Sequence, residues 1–228
     1  MYVSVSQKNY LNVLSYNTEI LYLCRFIHPQ MQNYELLALQ NQQRAHEVIK
    51  RLDLLTFWEN HGCRANVIGS LAMKLLVKHL DIDIDIHVYS SGITEESSFA
   101  IIADLAKNQH IKEIRCINGL HTDEHCIAWH AIYEDAKGDK WQLDMIHIES
   151  GTQYDGFFEL MAQRINARLT EKQRQTILRL KFETPDDEEI HGVEYYQAVI
   201  EDGVATLDEL RNWVATHRTT GGIYWMPD

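Results

Sequence analysis

Nine consecutive residues read Asp81-Ile-Asp-Ile-Asp-Ile-His-Val-Tyr89. Strict alternation of this kind is the pattern of a β-strand, with Asp81, Asp83, Asp85, His87 and Tyr89 on one face and Ile82, Ile84, Ile86 and Val88 on the other. Carboxylates at i and i+2 stand roughly 6.5–7 Å apart at the backbone and can converge at their tips, so they repel and raise one another's pKa unless a cation neutralises them. Hard oxygen donors suit Mg²⁺ or Mn²⁺, and Mg²⁺ is commonly held by few carboxylates together with substrate phosphates. The structural alternative is an edge strand whose charged, solvated face discourages aggregation.

A second feature lies just upstream. Ala65 to Ile68 reads as a short apolar strand running into Gly69-Ser70, and Leu71 to Leu80 returns to helical spacing. In a strand, tight turn and helix, the backbone N–H groups at the helix start face any anion placed there, and Ser70 can cap the helix and touch a phosphate. A phosphate site and a carboxylate site would then be neighbours.

Together these segments resemble the DNA polymerase beta-type nucleotidyltransferase superfamily. Its signature is a Gly-Gly or Gly-Ser turn, about a dozen residues of helix, and a strand bearing Asp-apolar-Asp. The match is Val67-Ile-Gly-Ser70, then Leu71 to Leu80, then Asp81-Ile-Asp-Ile-Asp-Ile86, and it extends over residues 65–150. Within the superfamily the pattern is nearest to the small-molecule, aminoglycoside- and lincosamide-type enzymes. The resemblance implies Asp83 and Asp85 as catalytic metal ligands, with Asp81 as the alternative first ligand. It implies Asp144, in Trp141-Gln-Leu-Asp-Met-Ile-His-Ile148, as the third carboxylate, and Gly69 and Ser70 as phosphate-binding residues. The implied cofactor is Mg²⁺ or Mn²⁺, and the implied reaction moves a nucleoside monophosphate from a nucleoside triphosphate, ATP being the expected one, to a hydroxyl of a small molecule or protein. Two metal ions about 3.5–4 Å apart would serve it. Lys74 and Lys78 could add positive charge near the phosphates, and Glu149 or Asp155 could act as a base. A non-catalytic nucleotide-binding regulatory module of the same fold is the alternative function.

The elements that must position these groups can be read from periodicity. Helical spacing runs from Tyr34 to His61 as one long amphipathic helix, and a further helix spans Glu95 to Lys107. A strand is expected near Lys112–Asn118, and Cys126–Glu134 and Lys140–Glu149 flank Asp135-Ala-Lys-Gly-Asp139 as a hairpin. After Ser150 the pattern is helical: Thr170-Glu-Lys-Gln173 opens a helix to Phe182, Glu188–Ile200 forms another, and Thr206-Leu-Asp-Glu209 caps a last one. Tyr10 to Leu23 could form helical turns, and Gly221-Gly222 reads as a turn. The expected fold class is α/β (α+β), a small mixed sheet flanked by helices. Residues 1–150 would form a nucleotidyltransferase-like domain with an N-terminal helical segment, and residues 151–228 a helical part packed on it as one wall of the active-site cleft.

Composition narrows the partners. The chain has 228 residues, 45% hydrophobic and 24% charged, which excludes disordered and low-complexity readings. With 33 acidic and 21 basic residues the net charge is −12, which disfavours large nucleic acids as substrates. The cluster Arg164, Arg168, Lys172, Arg174, Arg179 and Lys181 reads as a solvated helix face. Four cysteines without CxxC spacing favour reduced thiols. No stretch has the apolar length of a membrane span and Met1–Tyr10 lacks a signal-peptide pattern, so a cytoplasmic protein is expected. His121, His125, Cys126 and His130 have zinc-like spacing, but strand alternation beyond Cys126 would scatter them. Tyr195, Tyr196 and Trp213 suit a helix core better than a ligand cleft. Oligomeric state leaves no mark in the sequence.

Overall fold

The computed structural model describes residues 32–77, 82–217 and 224–228. The readings that fall on residues 1–31, on Lys78 and Asp81, and on Gly221-Gly222 lie outside the described residues.

Helix α1 (Asn33–Leu52) begins where the Glu35 side chain accepts the Gln32 N–H at 2.7 Å, and it buries the stripe Ala38, Asn41, Ala45, Val48 and Ile49. The single long helix expected from spacing is two. Asp53 adopts the left-handed conformation (φ 47°) and closes α1, its N–H donating to the Ile49 and Lys50 carbonyls, and α2 (Leu54–Asn60) follows. A short polar side chain tolerates that conformation, and the bend brings Leu54 and Trp58 fully into the core.

Strand β1 (Arg64–Val67) leads into α3 (Gly69–Ala72), a single helical turn and not the helix to Leu80 expected from spacing. Lys74 at φ 59° ends it, with the Leu75 N–H donating to the Ser70 carbonyl at 2.8 Å in a Schellman-type closure. Leu75, Leu76 and Val77 then run non-helically and all three are buried. A consecutive apolar run fits either backbone state, which is why spacing misread it.

The remaining sheet strands are β2 (Ile82–Ser90), β3 (Ile111–Gly119), β4 (Cys126–Glu134) and β5 (Lys140–Glu149), with α4 (Glu95–Leu105) between β2 and β3, capped by Thr94. The strand order is β1-β2-β5-β4-β3; β2 and β5 run parallel and every other pair is antiparallel. This is the mixed sheet with flanking helices expected from sequence. Strand β2 lies inside the sheet, however, so the edge-strand explanation of its aspartates fails. Ile82, Ile84 and Ile86 point into a core shared with α1, α2, α4 and strands β4 and β5.

Helices α5 (Phe157–Arg168), α6 (Glu171–Glu183), α7 (Gly192–Glu201) and α8 (Leu207–His217) build a second apolar cluster, which takes in Ala38, Met73, Leu75 and Val77. Helix α7 starts at Gly192 and not Glu188. Pro185 breaks the chain, Arg211 draws the Glu188 carboxylate away, and the Glu194 side chain caps the His191 N–H at 2.7 Å. Residues 185–191 are thus a loop.

If the isoleucine face of β2 is core and the aspartate face is not, Ile84→Ala loses about 2–5 kcal/mol in urea unfolding. A loss under about 1 kcal/mol would show the face to be loosely packed.

Candidate active site

The parallel pairing sets Asp85 opposite Asp144 and Asp83 opposite Gln142. Three carboxylates from β2 and β5 therefore share one sheet face. Burial, reinforced by the negative charges of Asp83 and Asp144 and opposed by Lys181, pushes the Asp85 carboxyl up to about 7. Asp144 is held by its neighbours: His130 Nδ1 lies 2.6 Å from Oδ1, and Gln142 Nε2 donates to both oxygens at 3.0 and 3.1 Å.

The turn before β2 is built against this cluster. Gly69 has φ 63°, and a Cβ there would lie 2.1 Å from Asp85 Oδ2 and 2.8 Å from Cγ, so only glycine lets the turn approach the carboxylate so closely. The Ile68 N–H donates to the Asp85 carbonyl at 3.0 Å, fixing the turn to the strand. Ser70 Oγ lies 3.0 Å from the Tyr196 hydroxyl and accepts from Lys181 Nζ at 2.8 Å. Lys181 also donates to the Leu75 carbonyl at 3.0 Å and is only 8% exposed, so it is not part of the solvated face that its basic neighbours suggested. Its position four residues after Ile177 and three after Leu178, both buried, is the sequence signal that marks it as inward-facing.

A cavity of about 730 Å³ opens on this arrangement. Gly69, Ser70, Asp83, Asp85 and Lys181 line it, together with the acidic loop Asp186–Glu189, Tyr195 and Tyr196. Further along, His87, Ile146, Ile148, Tyr154, Phe158 and Tyr224 complete the wall. Tyr195 and Tyr196 are at once buried and in the wall, whereas Trp213 stays in the helix core, its Nε1 donating to Asp202 at 2.7 Å and its ring stacked on His217. Burial holds His87 down to about 4, so it is neutral at pH 7.

Cys126 also lines the cavity, whereas Asp144 and the other residues singled out from sequence lie outside its lining. Lys74 serves the closure of α3; Glu149 accepts the Gly92 and Ile93 N–H groups, and Asp155 pairs with Arg64 and accepts the Gly151 N–H. His121 pairs with Glu95, and His130 with Asp144, so the zinc-like spacing brings no cluster together. Among the described residues no three His, Cys, Asp or Glu side chains converge on a metal position, and Asp144 is engaged by His130 and Gln142. In kind the donor set still fits a hard divalent cation: oxygen ligands on one sheet face, whose mutual repulsion a cation would relieve.

No protein-family model matches the chain, and no curated protein matches it in sequence. Its fold is similar to solved nucleotidyltransferases. A structure of the Cid1 poly(U) polymerase with MgGTP bound aligns at TM-score 0.51 and 12% identity, over 79% of this chain and 55% of the polymerase. The STING-associated CdnE c-di-GMP synthase of Capnocytophaga granulosa aligns at TM-score 0.52 and 15% identity, over 88% of this chain and 79% of the synthase. The chain thus spans about half the length of the polymerase, and the mixed sheet with its flanking helices is nucleotidyltransferase-like. Among the described residues no helix is long and apolar enough to cross a membrane.

Two outcomes follow from this geometry. Asp85 ionises near its ordinary value of about 3.9 in the unfolded chain but near 7 in the fold, so the fold binds the extra proton and stability falls as pH rises from about 4 to about 7. Urea unfolding in EDTA between pH 5 and 8.5 should show this loss, Asp85→Asn should flatten it, and millimolar Mg²⁺ should restore stability more at pH 8 than at pH 5. Gly69→Ala, in contrast, combines the left-handed penalty of about 1–2 kcal/mol with the clash against Asp85. Its unfolding midpoint should drop and the pH dependence contributed by Asp85 should change.

Proposed function

We propose that the protein is a nucleotidyltransferase that moves a nucleoside monophosphate, from ATP in the first instance, to a hydroxyl of a small molecule or protein, with Mg²⁺ or Mn²⁺ as cofactor. The observation that carries this reading is the repelling carboxylate pair Asp85 and Asp144 on adjacent parallel strands, with Asp83 beside them and the Gly69–Ser70 turn pressed against Asp85. The nucleotidyltransferase-like fold supports it.

Asp83 and Asp85 would hold the metal, Asp144 joining them when its carboxylate turns from His130. Bound there, the cation supplies charge neutralisation at the triphosphate and at the attacking oxygen. Ser70 and Lys181, already 2.8 Å apart, would hold the β- and γ-phosphates, Lys181 contributing a buried positive charge. In the transfer the acceptor oxygen bonds to the α-phosphorus, the bond from that phosphorus to the β-phosphate oxygen breaks, and pyrophosphate leaves. The acceptor's hydroxyl proton passes to Asp144 once that carboxylate has turned from His130, with which it pairs before substrate binds. The helical part after residue 150 would enclose the second substrate, since α5, α6, the 185–191 loop and α7 all contribute to the cavity wall. The net charge of −12 and the acidic loop at the cavity favour a small acceptor over a large nucleic acid.

Incubation of the full chain with α-labelled ATP and Mg²⁺ tests the proposal. Labelled product or AMP should form with wild type and fall at least 100-fold with Asp83→Asn or Asp85→Asn, while calorimetry shows MgATP binding that EDTA abolishes. Lys181→Met should weaken binding of MgATP far more than that of AMP. Equal ATP binding in EDTA would contradict metal-dependent chemistry, and MgATP binding without any turnover would favour the regulatory module.

A further inference from the structure

His87 follows Asp83 and Asp85 on the same face of β2 and has no part in the transfer chemistry above. It is 6% exposed and lines the cavity. A chain of hydrogen bonds fixes its proton. Glu159 on α5 accepts from Asn66 Nδ2 at 2.9 Å with one oxygen and from the Tyr89 hydroxyl at 2.8 Å with the other. The Tyr89 proton is therefore committed to Glu159, and toward His87 Nδ1, 3.3 Å away, the tyrosine oxygen can only accept. Nδ1 carries the proton and Nε2 keeps a bare lone pair.

Among the described residues the structure gives Nε2 no hydrogen-bond partner. The contrast with His147 on β5 is direct: that ring is 1% exposed, and each nitrogen meets a serine hydroxyl, Ser98 at 2.9 Å and Ser90 at 2.8 Å. Nε2 is not sealed from solvent: it opens on the cavity, where a bound molecule can supply the donor. Three apolar side chains adjoin it: Phe158 meets the imidazole edge-on at 4.9 Å, Ile146 pairs with His87 in register, and Ile148 lies one alternation further on β5, beyond which Cys126, Glu124, Tyr154 and Tyr224 carry the wall into polar groups. Asp144 lies one alternation before Ile146 on that same face.

We infer that His87 binds the acceptor substrate: its Nε2 takes a hydrogen bond from a hydroxyl of a small molecule whose apolar body rests on Ile146, Ile148 and Phe158. The inference rests on the nucleotidyltransferase reading only for the word acceptor; the subsite itself stands on the tautomer and the wall. Tyr89, Glu159 and Asn66 are positioning residues, acting through His87. The site selects a donor group on an apolar frame, and it leaves the phosphate end of the cavity to the nucleotide.

Benzyl alcohol and toluene are the probes, one with and one without the donor on the same frame. In long-range ¹H–¹⁵N spectra of the full chain, His87 should show Nδ1 protonated and Nε2 bare, and the Nε2 resonance should move with benzyl alcohol and not with toluene. Tyr89→Phe should mix the tautomers. A protonated Nε2, or equal shifts with both probes, would overturn the inference. In transfer assays with α-labelled ATP, His87→Leu should raise KM for benzyl alcohol at least tenfold with MgATP affinity within twofold, and His87→Gln, which keeps an acceptor oxygen, should recover part of it. An unchanged KM in His87→Leu, or an equal loss of MgATP affinity, would assign His87 to the fold or to the nucleotide. Failure of wild type to bind MgATP would sink the proposed activity alone, since the spectra still decide the subsite.

Discussion

Repulsion between carboxylates on one sheet face is the constraint around which the site is arranged. Parallel pairing of β2 with β5 forces Asp85 and Asp144 to be cross-strand neighbours, and their partial burial limits the water that would screen the repulsion. The fold meets the cost in several ways at once. Asp85 shifts toward its neutral form, Asp144 is drawn to His130 and Gln142, and Lys181 brings a positive charge across from α6. A structure evolved for stability alone would place apolar residues there, as it does on the opposite face with Ile82, Ile84 and Ile86. Charge retained at such a place is what the proposed cation and anionic substrate would relieve.

The same constraint explains the contacts between the two apolar clusters. Gly69 must lie against Asp85, so the short turn α3 is pinned to β2, and its closure at Lys74 sends Leu75, Leu76 and Val77 away from a helical path. Leu75 and Val77 thereby enter the core of the C-terminal helices, and Lys181 of α6 reaches back to Ser70 and the Leu75 carbonyl. Sheet and helices meet at the candidate phosphate site, which lets the helical part contribute a cation that the strand-turn segment lacks.

Much of this was legible in the sequence where one periodicity dominated. The alternation of β2, the β4–β5 hairpin around Asp135–Asp139, and the capping boxes at Thr170 and Thr206 each depend on local chemistry, and the structure keeps them. The helix expected over Leu71–Leu80 failed because Leu75-Leu76-Val77 is apolar throughout and carries no period, and the break at Asp53 failed because a left-handed aspartate has no stronger signature than a polar helix residue. Composition groups Lys181 with basic neighbours of which Arg164, Arg168 and Lys172 are exposed and Arg174 and Arg179 half-buried, although its spacing from Ile177 and Leu178 sets it on the buried side. The pairing of Asp144 with His130 and the chain from Glu159 through Tyr89 to His87 are tertiary contacts between distant segments, and no single-sequence pattern encodes them.

Crystals of the protein grown with Mn²⁺ and an ATP analogue that resists α-phosphate transfer would test the central claim most directly, read by anomalous scattering from manganese. The expected result is a peak between the Asp83 and Asp85 carboxylates, Asp144 turned from His130 toward it, and the triphosphate beside Ser70 and Lys181. Manganese absent from these aspartates, with the nucleotide bound elsewhere on the surface, would contradict it.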